Sequence, residues 1–94
     1  MQTNEMLQNE NSAAINLIAS ESIRSGVYVN ISSIRTTPKE VILEFAFVDS
    51  ERDDGDKHVM EGVLQSRIIM SHTSLLELQT MLNSHIESNF QKAE

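Results

Sequence analysis

Three stretches alternate apolar and polar side chains at a period of two, the spacing of a half-buried strand. In residues 41–48, Val41, Leu43, Phe45 and Phe47 form one row, and Ile42, Glu44, Ala46 and Val48 the other. In 27–36, Val27, Val29 and Ile31 share a row, but Ile34 is out of phase with them. A bulge at Ser32-Ser33 would restore it. In 59–70, Met60, Leu64, Ile68 and Met70 form a core row, and Glu61, Val63, Gln65, Arg67 and Ile69 the opposite row. The period then changes. Leu75, Leu78, Leu82 and Ile86 recur at three and four residues, one stripe of a helix over about 73–90. Ser71 stands just before it as a candidate N-cap.

Between 27–36 and 41–48 lies Thr37-Pro38-Lys39-Glu40. Proline pre-sets the φ of a turn, so these strands form an antiparallel hairpin. Residues 49–58, DSERDDGDKH, read as an acidic hairpin loop, and Arg24-Ser25-Gly26 as a turn. Residues 13–23 fit two periods. Ala13, Ala14, Leu17 and Ile18 suit a helix face, whereas Ile15, Leu17 and Ala19 suit a strand. Residues 1–12 are polar, and Met6 and Leu7 alone would not anchor them, so a disordered tail is expected there. A single domain then covers 13–90, with a frayed tail at 91–94. The expected fold is α+β: a small antiparallel sheet of three or four strands, then a C-terminal helix packed on one face.

The opposite sheet face is hard to leave in water. It would carry Tyr28, Ile42, Ala46, Val48, Val63 and Ile69, with Glu44 and Arg67 among them. A solvated face should alternate to polar more cleanly. These eight residues are the candidate face for self-association, most simply as a dimer, or for a protein partner. Met60, Met70 and Met81 either fill the core or line an adaptable groove.

Composition narrows the chemistry. The 94 residues carry 7 basic and 14 acidic side chains, a net charge of −7. The bases are scattered singly, which argues against nucleic acid and anionic membrane as partners. Cysteine is absent, removing disulfides, thiol nucleophiles and thiolate metal sites. The opening MQTNEMLQNE lacks the basic and apolar regions of a signal peptide, so a cytoplasmic location is expected.

Catalytic and metal signatures fare no better. In an EF-hand register Asp54, Gly55 and Glu61 fit, but Ser50 and Arg52 fall where carboxylates should stand. His58, His72 and His85 do not pair at helical spacing, and the last two would be ~20 Å apart on one helix. No serine lies in a nucleophile elbow, and Gly26, Gly55 and Gly62 stand alone rather than in a phosphate loop. Neither enzymatic activity nor a cofactor or metal is expected.

From 26 to 86 the chain resembles an uncharacterised bacterial family of small domains. Its members read Tyr-x-Asn, then Ser/Thr-Pro-x-Glu-Phe-x-x-Asp-Phe, a variable loop, Arg-Val-Val-Met-Ser-Pro and a helix. The matching residues here are Tyr28-Val29-Asn30, Thr37-Pro38-Lys39-Glu40 through Phe45, Arg67-Ile68-Ile69-Met70-Ser71, and Leu78, Leu82 and Ile86. His72 stands where the family tends to have proline, Gln79 replaces leucine and His85 replaces asparagine. The resemblance implies that the segment before Gly26 is extended, which favours the strand reading of 13–23. It implies no activity. A looser likeness of architecture is to the export chaperone SecB. The expected function is a small cytoplasmic homo-oligomeric protein-interaction module. The alternative is a SecB-like holdase that takes unfolded or extended polypeptide.

Overall fold

The computed structural model describes residues 2–8 and 14–90. The order is β1 (Gln2–Gln8), β2 (Ala14–Ser20), α1 (Glu21–Ser25), β3 (Ile31–Thr36), β4 (Val41–Asp54), β5 (Lys57–Met70) and α2 (His72–Asn89). The class is α+β, with antiparallel sheets followed by a C-terminal helix. One sheet pairs β1 with β2; the other has the order β3-β4-β5. The chain forms two compact units. One is Val27–His72, and the other joins Met1–Gly26 to Thr73–Glu94.

In the second of these units, Gln2–Gln8 is a strand, not a disordered tail. Its polar side chains misled the reading because the backbone holds it, paired with β2 from Gln2↔Ser20 to Gln8↔Ala14. The alternation of Ile15, Leu17 and Ala19 is that of a strand after all, and it sets Leu7 opposite Ile15. Arg24 Nε donates to Glu5 at 3.1 Å. Residues 9–13 and the tail at 91–94 lie outside the described residues. The expected turn is the end of α1. Ser20 caps its start by accepting from the Ile23 N–H, and Gly26, at φ 74°, closes it with a 3.0 Å bond to the Ile23 carbonyl. α2 runs for 18 residues with the expected stripe and no buried residue; Leu75 and Leu78 are half-buried and Leu82 is 47% exposed.

In Val27–His72, β4 is the central strand. Thr37 builds the first turn. Its N–H donates to the Glu40 carbonyl at 2.8 Å, and its hydroxyl accepts from the N–H groups of Lys39 and Glu40. The Thr37 carbonyl sits 3.0 Å from His72 Nε2.

Two expectations need correction. Residues 49–58 are mostly strand. β4 continues to Asp54 and β5 begins at Lys57, leaving Gly55-Asp56 as the turn, with Gly55 at φ 67°. Unlike charges meet along β4 and across the hairpin: Arg52 contacts Asp54 on its own strand and Glu61 on β5, and His58 bridges Glu51 and Asp53. That pairing lets a charged stretch remain a ladder. The second correction is the bulge. β3 pairs without interruption from Ile31↔Ala46 to Thr36↔Val41, so Ser32-Ser33 is regular. The register shifts instead between β4 and β5, at Phe45/Ala46 and at Val48/Ser50. Gln65 and Asp49 are the residues left without a partner.

Gly62 lies between these irregularities, opposite Val48. A Cβ there would collide with the Phe47 carbonyl oxygen and stand 2.7 Å from Val48 Cα. Both obstacles are backbone, so relief requires the strands to part. Gly62→Ala is expected to cost about 1–3 kcal/mol of stability, as overpacking does. Gly55→Ala, with open space but a positive φ, is expected to cost about 1 kcal/mol. Urea titration of the two variants checks the order.

Candidate functional site

Directly paired residues share a sheet face, so the ladder determines which side chains meet. On one face three cross-strand rows form: Arg35–Ile42–Ile69, Ser33–Glu44–Arg67 and Ile31–Ala46–Leu64. Val48 follows, paired with Gly62. Six of the eight candidate residues therefore gather here: Ile42, Glu44, Ala46, Val48, Arg67 and Ile69. Val63 and Tyr28 do not. Val63 pairs with Phe47. Tyr28 meets the Phe47 ring edge-on, with centroids 5.8 Å apart.

The cause is the bulge at Gln65. One unpaired residue reverses the phase of everything beyond it, because the side-chain period is two. It moves Val63 to the side of Val41, Leu43 and Phe45, and moves Leu64 and Met60 away from Ile68 and Met70. The unbroken β3 register likewise puts Ile31 on the candidate face and Ile34 opposite Leu43. Sequence reading missed Leu64 and Ile31. The signal that could have found Leu64 is Gly62, since an isolated glycine within a strand often marks a bulge.

Apolar side chains on both faces remain open to solvent. Ile31 is 42% exposed, Leu64 47% and Ile69 55%; on the other face Ile34, Val63 and Ile68 are exposed as well. Within the candidate face the charges already have partners. Arg67 Nε donates to Glu44 Oε2 at 2.8 Å, Arg35 Nη2 lies 3.5 Å from the same oxygen, and Ser33 Oγ is 3.5 Å from Glu44 Oε1. The face thus offers an apolar surface around an internally neutralised carboxylate.

Asn30 explains part of the Tyr-x-Asn pattern. Its Nδ2 donates to the Val48 carbonyl at 3.0 Å, and its Oδ1 accepts from the Val48 N–H at 2.9 Å. The side-chain amide stands in for a peptide group where β3 begins. Tyr28 and Asn30 therefore act on β4 at two adjacent residues, Phe47 and Val48.

At the hairpin tip His58 is gripped through both ring nitrogens. Nδ1 lies 3.1 Å from Asp53 and Nε2 3.0 Å from Glu51. Among the described residues no group of three or more His, Asp or Glu has the geometry to hold a metal ion. His72 serves the Thr37 turn, and His85 contacts the Phe90 ring edge-on near the end of α2. The structure does not bring the three histidines together. Met60 joins the candidate face beyond Leu64, whereas Met70 pairs with Val41 on the other.

These strands and this helix define a small α+β domain with an ion-paired hairpin arm. A family model described as protein of unknown function (DUF3467) matches residues 1–93, and the chain belongs to that family. No curated protein and no solved structure matches it.

Two titrations follow from the geometry. Hydrogen bonding from Arg67 is the main influence lowering the Glu44 pKa; burial opposes it, and the Arg35 charge and Ser33 hydroxyl assist. The stability this contributes is present above the unfolded carboxylate pKa and lost as pH falls through the depressed folded value. Glu44→Gln is expected to remove that acid-side loss, measured as the urea midpoint against pH. For His58 the sign is opposite. Hydrogen bonds to Asp53, then Glu51, raise its pKa above 6.5. Its contribution is complete below the unfolded value and disappears as pH rises through the folded one. Nuclear magnetic resonance of the imidazole is expected to show this raised midpoint, and Asp53→Asn to lower it.

Proposed function

We propose that this protein is a small homo-oligomeric protein-interaction module without catalytic activity, working in the cytoplasm. The observation that carries the reading is burial. Among the described residues only Ala19 and Val41 are buried, while leucine, isoleucine and valine side chains stand open on both faces of the β3-β4-β5 sheet. A domain of this size has little stability to spare, and its apolar surface has to come out of water somewhere. Association with further copies achieves that, and the sheet face of Ile42, Ala46, Leu64 and Ile69 then offers a contact for another protein. Glu44 is already paired with Arg67 and shares its carboxylate with the exposed Arg35 at the edge of the face, so only one guanidinium charge is left for a partner to match or leave in water. The scattered bases and the net charge of −7 support a protein partner over nucleic acid or an anionic membrane. No helix among the described residues is long and apolar enough to cross a membrane.

A second reading, a SecB-like holdase for extended polypeptide, has one observation in its favour. The outer edges of β3 and β5 are unpaired in their sheet, beside exposed Ile31 and Leu64. Such edges can take an added strand. Suppressed aggregation of several unrelated unfolded proteins would favour it over the module.

Light scattering behind a sizing column tests the leading reading. The expected mass is a multiple of 10.6 kDa at tens of micromolar. A mass of one chain, with cooperative unfolding by circular dichroism, overturns it.

A further inference from the structure

We propose that the stretch of β4 beyond the end of β3 receives a lysine- or arginine-rich extended segment of another protein, which adds as a strand beside Asp49–Asp54. The inference rests on the protein-interaction reading above and assigns a partner class to a part of the chain that reading does not use. β3 pairs with β4 no further than Ile31↔Ala46. Asn30 then satisfies both the N–H and the carbonyl of Val48 through its side-chain amide. From Ser50 to Asp54, β4 pairs with β5 alone, and Asp49 to Asp54 are all exposed. At ~3.3 Å per residue this open edge runs for roughly 20 Å, in the slot that a longer β3 would fill. Such an edge presents unpaired backbone groups to an added strand.

A notch of about 530 Å³ opens where β3 stops. Ile31, Val48 and Met60 give it an apolar lining, and Asp49 and Glu51 an acidic one. Glu51 pairs with Met60, so its carboxylate and the thioether share a sheet face. Asp49 is the residue inserted in β4 at the second register shift. Its carboxylate makes no hydrogen bond or ion pair with another described residue. Glu51 gives one oxygen, Oε1, to His58. An apolar floor with carboxylates beside it fits lysine or arginine, whose methylene stem packs while its charge meets acid.

Charge selects the occupant. Residues 49–61 hold six carboxylates and two bases, and Arg52 is already engaged by Asp54 and Glu61. A second copy would bring the same acidic edge and set acid beside acid. Phosphates of a nucleic acid would be repelled as well. An extended basic segment is attracted, and its alternate side chains fall over the notch while its backbone continues the ladder.

Fluorescence anisotropy of the full-length protein with a labelled short peptide of alternating lysine and threonine tests this. The expected result is saturable binding that weakens as salt is raised. Asp49→Asn is expected to bind about tenfold more weakly, a loss of about 1.4 kcal/mol. Asp56→Asn, the same charge change at the hairpin turn, is expected to bind as the native protein does. Two further peptides carry backbone N-methyl groups on every lysine or on every threonine. A strand turns alternate N–H groups to one side, so one version is expected to lose binding to the native protein and the other to keep it. Equal binding of the two overturns strand addition. A glutamine–threonine peptide that binds as well as the lysine one overturns the basic partner and favours the holdase. An oligomer by light scattering that takes up no lysine peptide overturns the notch and leaves the homo-oligomer standing. A single chain that binds the peptide in this pattern keeps the notch and overturns the homo-oligomer.

Discussion

The phase of the β4–β5 ladder controls the unit formed by Val27–His72. β4 is hydrogen-bonded on both sides over Val41–Ala46, and each of its side chains is assigned a face by that pairing. The two register shifts then determine what lies beyond. With Gln65 inserted, Phe47 meets Val63 and Ala46 meets Leu64. Without it Met60, Leu64, Ile68 and Met70 would share one side, and Val63 and Ile69 the other with Glu61, Gln65 and Arg67. The insertion divides them, and each face receives both large aliphatic and polar side chains. That is why neither face is a core in the usual sense.

The ionic row is the counterpart of this division. Glu44 sits in the middle of the central strand, a costly place for a carboxylate with no cation nearby. Arg67 reaches it from β5 and Arg35 from β3, while Ser33 adds a hydroxyl. The same cross-strand logic operates at the tip, where His58 lies between Glu51 and Asp53. In both places unlike charges meet within the ladder, with two guanidinium groups on Glu44 and two carboxylates on His58.

Much of the fold was legible because its signals are local. The alternation Val41, Leu43, Phe45, Phe47 and the turn chemistry of Thr37 and Pro38 are read within a few residues. So is the three-and-four spacing of α2. What was not legible depends on pairing across distance. β1 has little apolar content, and only its partner Ile15–Leu17–Ala19 makes it a strand. The charged run 49–58 looked like a loop because its compensation lies on the opposite strand. The ladder brings Ile42, Glu44, Ala46, Val48, Arg67 and Ile69 onto one sheet face, all on the near side of the Gln65 shift or on β4. Val63, beyond that shift, and Tyr28, against the Phe47 ring, do not join them.

Asn30 ends the three-stranded part of the sheet by offering its amide to Val48. Past that point β4 and β5 continue as a two-stranded arm to Gly55-Asp56. An arm of this kind can lengthen or shorten only under a parity rule. Adding one residue to each strand preserves the pairing of everything below it, whereas adding one residue to a single strand forces a new bulge or a reversed face. Length variation among relatives in this stretch should therefore come in steps of two, split evenly about the turn. The sheet below Val48 would not register the change.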